Sequence, residues 1–531
     1  MSVAPDDKES RMDTHQTDNS GLRLAELIAS LSLAIDLGLG QLMENFLRTC
    51  LLAVRLGKVL GVSEQDLVDI YYLGLIQHLG CTAYADETAA IFGDELEAYT
   101  WLITTDQGRP TEMLGAMFQH IGKGESPLRR AQRITHALLT APKKTEEVFR
   151  GRCEVAQCLA DRMGLGTRLR DTLGQVYERW DGKGLPHQLK GEAILLPVRV
   201  VRIAQDAEIF SRLQGKDGAL SVLQKRAGGM YDPTIVDCCC RQADQVFQDA
   251  GESSVWEAVL AAEPGSRSCI SEASLDEVLR AVADFADLKS PYTLGHSSGV
   301  ADLAAEAAQR CGLPEIDVRT IRRAGLLHDL GRIGVPNTIW DKPGPLSETE
   351  WERVRLHPYY TERVLARLKA LGPVSSIAAQ HHERLDGSGY HRGLPASLLP
   401  MTARILAAAD VYHALISPRP HRAAHSVEGA ADELRRQVRA GLLDDEAVRA
   451  VLVVAGHRLR STRRTWVAGL SDREVEVLRL VARGSSNSQM AAMLSLSQST
   501  IHHHIQHIYN KLGVSTRAAA ALFAMQHNLL S

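Results

Sequence analysis

Imidazoles and carboxylates recur in a fixed order through one stretch of the chain: His296, the pair His328-Asp329, His357, the pair His381-His382, and Asp410. Buried side chains of these types need partners or a cation. Imidazole nitrogen and carboxylate oxygen together suit a divalent transition metal. One carboxylate such as Asp329 can bridge two cations about 3.5 to 4 Å apart, so seven candidate ligands fit two metals better than one. Two cations can activate a shared water, direct it at a phosphorus and neutralise the charge that builds on the phosphoryl oxygens. A lone His-Asp pair is an ordinary core feature; the ordered set points to metal-assisted hydrolysis of a phosphate ester.

Helices must hold these residues. From Leu22 onward apolar residues recur at three- and four-residue spacing, with few alternating runs, so the expected fold class is all-α. Leu275, Val278, Leu279, Val282 and Ala286 form one such stripe. His381 follows Val374 and Ile377 by seven and four residues, which places all three on one helix face. The small and polar run AEPGSRSCISEAS, from Ala262 to Ser274, reads as a linker. A second break falls at Gly456 to Gly469, where Arg458, Arg460, Arg463 and Arg464 make a basic linker.

The chain also repeats itself. QVYERWDGKGLP at Gln175 to Pro186 aligns without gaps with QHHERLDGSGYH at Gln380 to His391, and Arg199 lies as far from the first as Arg404 from the second. Two copies of one fold are expected. In the first, Arg48 stands where His296 does, Leu79 follows His78 where an aspartate is required, Val176-Tyr177 replace two histidines, and Gln205 replaces Asp410. Glu178, Asp181-Gly182 and Gly184 persist, so the copy keeps its loop without its metal cluster, and His78 reads as a structural histidine. Ligand sensing, dimer formation or a structural platform are the roles left to it. Cys238-Cys239-Cys240 beyond it has no second group at zinc spacing and reads as idle thiols.

With 531 residues the chain has room for several domains, and 45% apolar with 23% charged residues is the composition of folded protein. A net charge of -4 excludes whole-chain polyanion binding, so any nucleic-acid contact is local. Nine cysteines without CxxC pairs read as reduced, which implies the cytoplasm. No apolar run approaches membrane length, so no membrane partner is expected, and the polar first twenty residues read as a disordered tail.

The C-terminal segment reads as four short helices. Val475, Leu478, Val481 and Ala482 make one apolar face, SSNSQMAAML a second helix, and Ile501, Ile505, Ile508 and Leu512 the stripe of a third, capped by Ser497 and ended by Gly513. That stripe leaves Ser499, His502, His503, Gln506 and Asn510 outward, with Thr500 and Lys511 beside them, as a helix entering the major groove requires. The run His502-His503-His504 with His507 has helical metal spacing, but the groove-facing role accounts for it without a cation.

The region from Leu275 to Gly456 resembles the HD-GYP family, a branch of the HD phosphohydrolases that hydrolyses cyclic di-GMP. GHSSGVADLA at Gly295, HDLGRIGVPNTIWDKPGPL at His328, HPYYTERVL at His357, HHERLDGSGY at His381 and ILAAADVYHALISPRPHR at Ile405 carry the likeness. It implies His296, His328, Asp329, His357, His381, His382 and Asp410 as ligands of two divalent cations, iron or manganese. Asp329 and Arg332 are then the catalytic residues, and Arg419 and Arg422 grip ligand phosphates. Arg332 replaces the family's usual lysine and His391 a usual proline. Arg332 keeps a positive charge but does not readily give up a proton, which bears on rate more than on metal binding.

The segment LSDREVEVLRLVARGSSNSQMAAMLSLSQSTIHHHIQHIYNKLGVSTR resembles the LuxR-type helix-turn-helix, with His502 where a lysine is common. A neutral histidine there gives up a phosphate contact. Binding to an operator as a homodimer is implied. The expected layout is a tail over 1–20, a degenerate HD-GYP-like unit over 21–260, a linker over 261–274, the phosphohydrolase over 275–455, a basic linker over 456–466 and the DNA-binding unit over 467–531. The expected function is a DNA-binding regulator that hydrolyses a cyclic dinucleotide, with cyclic di-GMP first. Two alternatives are a weak or inactive nucleotide-sensing regulator and a phosphohydrolase for another nucleotide.

Overall fold

A computed structural model describes residues 21–248, 254–458 and 466–530. The polar N-terminal tail and most of the basic linker lie outside the described residues. Among the described residues only helices, turns and isolated β-bridges occur, so the chain is all-α as expected. None of the described helices is long and apolar enough to cross a membrane.

The two copies are built alike. Each opens with three helices: Leu24–Gly38, Asn45–Leu60 and Glu64–Ile76 in the first, Glu272–Asp287, His296–Arg310 and Glu315–Leu327 in the second. Near its end each has a long helical stretch, Leu196–Arg226 interrupted at Gly215 in the first and Met401–Ile416 then Val427–Arg439 in the second, and after it a helix capped by an aspartate. The loop shared by both copies is shaped by a carboxylate. Glu178 accepts the backbone N–H groups of His187 and Leu189 at 2.7 and 2.9 Å, and Glu383 accepts those of Arg392 and Leu394, both at 2.9 Å. Arg199 pairs with Asp232 at 2.8 Å and Arg404 with Asp444 at 2.9 Å. The repeat is therefore one of structure as well as sequence.

These matched contacts correct the expected register at the front of the first copy. A Cβ added to Gly80 would lie 1.9 Å from the Arg152 carbonyl oxygen, and one added to Gly331 2.1 Å from that of His357. Only glycine permits either approach. Gln77-His78, not His78-Leu79, thus match His328-Asp329; Cys81 matches Arg332 and Arg152 matches His357. Likewise Asn45, not Arg48, opens the helix equivalent to that of His296, each helix following a left-handed residue, Glu44 at φ 75° and Gly295 at φ 74°. The sequence alignment failed there because the copies differ in length between these front motifs and the shared loop from which it was anchored. The first copy inserts the helices Glu95–Leu102, Pro110–His120 and the front of Pro127–Arg162.

One apolar core runs through both copies and reaches Ala518, Ala521, Leu522 and Met525 near the C-terminus. Polar contacts also cross between copies. Lys289 Nζ lies 2.8 Å from Glu95 Oε1 with both side chains buried, and the same oxygen accepts the Asn337 N–H at 2.9 Å. Arg162 reaches from the first copy to Glu277 and Asp284 of the second.

The last four helices, Asp472–Ala482, Asn487–Leu494, Gln498–Leu512 and Arg517–Gln526, enclose a core of their own from Val475, Leu478, Val481, Met490, Ile501, Ile505 and Ile508. Ser471 with Glu474, and Ser486 with Gln489, form reciprocal caps that start the first two. Thr516 and Ser515 donate hydroxyl hydrogen bonds to Glu154 of the first copy, Thr516 at 2.8 Å.

Candidate metal centre and DNA-facing helix

The chain's seven candidate ligands converge because each sits at a helix end or on an inward face. His296 is the first residue of its helix and His357 of its own; His328 caps the C-terminus of Glu315–Leu327; His381 and His382 follow Gly372–Ala378; Asp410 lies on the inner face of Met401–Ile416. Thr361 ties two of these elements, donating to the His328 carbonyl and accepting from the Gly331 N–H, both at 2.9 Å. Asp287 fixes the start of the His296 helix by accepting from the Ser297 N–H and hydroxyl.

Asp329 lies between two sets of histidines. Its Oδ2 is 3.7 Å from His296 Nε2 and 3.5 Å from His328 Nε2, while its Oδ1 is 3.4 Å from His357 Nε2 and 3.6 Å from His381 Nε2. Asp410 Oδ1 joins the first set at 3.1 Å from His296 Nε2, and its Oδ2 lies 3.8 Å from His382 Nδ1. Within His296, His328 and Asp410, and within His357, His381 and His382, ligand atoms lie within 4.8 Å of one another. The imidazole and carboxylate donors in these groups could hold a divalent cation.

The donor chemistry fits cations. Nδ1 of His328, His357 and His381 each lies 2.7 Å from a backbone carbonyl, of Gly325, Val354 and Ala378, which assigns the proton to Nδ1 and turns the Nε2 lone pair inward. His328 Nε2 and His382 Nδ1 are buried without a hydrogen-bond partner. Burial opposes ionisation of Asp329, but His328 and Arg332 hold it well below the usual carboxylate range; His296 and His328 do the same for Asp410. Burial pushes His296 down to about 4 and His357 down to about 3, while His328, despite burial, is held up to about 9 by the two carboxylates. The ionised carboxylates and the neutral His296 and His357 are in the forms that bind metal, and His328 would give up its Nε2 proton to a cation.

Around the cluster, Arg332 lies 3.4 Å from Asp329 Oδ2 and stacks on Trp340, its guanidinium carbon 3.7 Å from the ring centre. Arg419 is partly buried and donates to the Tyr292 carbonyl at 3.2 Å; burial and the nearby Arg332 lower its pKa to about 10, against the pull of Asp410 and Asp329. Arg422 differs from the sequence expectation: it donates to the carbonyls of Ala414, Leu415, Ser417 and Ala423, closing the end of the Asp410 helix. His391 stays at the rim, 3.5 Å from Glu362.

Sequence reasoning missed His413, whose Nδ1 lies 2.9 Å from that of His296, and Tyr390, which stacks on His382 with ring centres 4.6 Å apart. The signal for His413 was its position three residues beyond Asp410, on the same helix face.

In the helix Gln498–Leu512, Ser499, His502, His503, Gln506 and Asn510 are exposed, opposite the buried Ile501, Ile505 and Ile508. Thr500 is engaged at the cap with Ser497. Lys511 is drawn away from that face, its ammonium 2.7 Å from Glu474 and 3.0 Å from the Gly469 carbonyl.

Comparison with known proteins agrees with both units. Residues 104–235 and 280–447 match the HD domain family, and residues 468–524 the luxR family of bacterial regulatory proteins. The first match covers parts of both copies. A 3'3'-cGAMP-specific phosphodiesterase 3 of Vibrio cholerae is 30% identical over 410 residues, which span 77% of this chain and 89% of the relative. The cyclic di-GMP phosphodiesterase response regulator RpfG of Xanthomonas campestris is 39% identical over 34% of this chain and 47% of its own length. A crystal structure of a cyclic GMP-AMP specific phosphodiesterase of Vibrio cholerae superposes with a TM-score of 0.57 at 27% identity, covering 82% of this chain and 98% of that one.

Proposed function

This chain belongs to the HD domain family, and on that premise we propose that it is a DNA-binding regulator whose second copy hydrolyses a cyclic dinucleotide, cyclic di-GMP or its mixed analogue 3'3'-cGAMP. The observation that carries the reading is Asp329, each of whose oxygens faces its own pair of histidines. His296, His328, Asp329 and Asp410 would hold one cation, and Asp329, His357, His381 and His382 the other. Iron or manganese bound there would lower the pKa of a water and neutralise phosphoryl charge.

The protein's own groups account for the rest. Arg332, braced by Trp340, and Arg419 offer fixed positive charge to the phosphodiester without giving up a proton. Tyr390 and the carbonyl-bound Nδ1 atoms keep the imidazoles in one orientation. The exposed face of Ser499, His502, His503, Gln506 and Asn510 suits the major groove, and two copies of the chain would read two half-sites.

The test is hydrolysis and binding of cyclic di-GMP, and separately of 3'3'-cGAMP, by full-length protein loaded with manganese or ferrous iron, beside Asp329→Ala. Metal-dependent turnover lost in the variant is expected. Tight binding without turnover would replace the enzyme with a nucleotide-sensing regulator, and failure of both would point to another nucleotide.

A further inference from the structure

The first copy encloses a cavity of about 700 Å³, the size that takes a small organic ligand. It opens over the place where the second copy has its metal cluster. His78, Cys81, Arg152 and Tyr177 line it, the counterparts of Asp329, Arg332, His357 and His382. Leu102, Met113, Met117 and Leu138 of the inserted helices form the opposite wall, with Phe92 and Phe149 beside them. Most of that wall is apolar, which favours a hydrocarbon or aromatic body over a ligand as polar as a cyclic dinucleotide.

The floor is different. Arg152 is only 8% exposed, and its Nε has no hydrogen-bond partner. Its Nη2 donates to the hydroxyls of Thr88 and Tyr99 at 3.0 Å each, both neutral groups. No carboxylate lies within ion-pair distance of it among the described residues; Glu87, on the wall, acts at longer range. Of the other charged residues that line it, Arg179 is paired with Asp106 and Asp181 and Glu178 holds two backbone N–H groups, while Arg202, which donates to the neutral Gln205, and Lys144 and Lys183 add further positive charge. A buried guanidinium without a counterion is costly unless an anion completes it. A fixed cation thus stands where the other copy would hold metal.

We propose that this cavity binds an amphipathic carboxylate, with the carboxylate on Arg152 and the apolar body against the inserted helices. The inference is independent of catalysis in the second copy. Calorimetric titration of full-length protein with decanoate tests it, with decanol and decylamine as controls and Arg152→Met and Met117→Trp as variants. Saturable one-to-one binding of decanoate is expected, with decanol and decylamine at least roughly tenfold weaker. Arg152→Met is expected to remove the preference for the acid, and Met117→Trp to abolish binding by filling the cavity while dinucleotide turnover continues. The proposal is overturned if decanoate does not saturate, if decanol binds equally, or if cyclic di-GMP displaces decanoate from Asp329→Ala protein. Unchanged binding in Met117→Trp also overturns it, and decides the matter should Arg152→Met fail to fold.

Discussion

Arg152 and Glu154 leave the helix Pro127–Arg162 two residues apart, the first lining the cavity of the first copy and the second accepting the hydroxyls of Ser515 and Thr516 at the start of the C-terminal helix. One helix therefore touches both a ligand-sized space and the DNA-binding unit.

Glu154→Ala removes both hydroxyl contacts. Hydrogen bonds to a charged group contribute about 1.5–3 kcal/mol when shielded, and less here because Ser515 is exposed. Amide exchange at the start of Arg517–Gln526 should quicken by roughly tenfold, with Leu24–Gly38 unaffected. Equal exchange in both proteins would show that the contact does not hold the unit in place.

Arg332→Met should lower kcat by about 10- to 100-fold, the scale of losing one charge that stabilises a transition state. Bound metal, measured by elemental analysis, should not change, since Arg332 is not among the clustered ligand atoms. Loss of metal in step with rate would instead make Arg332 a support for Asp329.

Arg419 and Arg422 should part company. Arg419→Ala is expected to raise KM for the dinucleotide by roughly tenfold or more, as loss of a phosphate contact does. Arg422→Ala should leave KM near its original value and lower the thermal midpoint, because its four carbonyl acceptors belong to the protein.

The pair Glu474–Lys511 sets an acid-sensitive contribution to stability. Burial opposes ionisation of Glu474, but Lys511 and Ser471 hold it down to about 2. A folded-state value below the unfolded one, about 4.3, stabilises the protein above that pH, and the contribution fades as pH falls toward 2. Glu474→Gln should therefore cost about 1 kcal/mol near pH 7, allowing for solvent at the partly exposed Lys511. The gap between variant and parent should shrink steadily below about pH 4 in thermal unfolding; a gap independent of pH would assign the effect to the cap alone.

The metal cluster was legible in the sequence because side chains of rare buried type recur in order, and the DNA-facing helix because Ile501, Ile505 and Ile508 fix its buried side. The register of Asn45, Gln77 and Arg152 was not. Local similarity ended at the shared loop, and the inserted helices altered the spacing between motifs. Arg422 and Lys511 make contacts that the sequence does not show: backbone carbonyls take the first, and Glu474 with the Gly469 carbonyl takes the second. The cavity was invisible too, since its wall and floor come from segments far apart in the chain.

The ion pair between Lys289 and Glu95 bears on whether the catalytic half is self-sufficient. Cutting the chain at 261–274 would separate the repeats neatly by sequence, yet would leave Lys289, only 3% exposed, without its carboxylate and the Asn337 N–H without its acceptor. Stranding a buried charge costs about 3–5 kcal/mol, a large share of what a domain has to lose. The copy that lost its ligands is in this sense a subunit of the other, joined by peptide: an excised phosphodiesterase fragment would begin life incomplete.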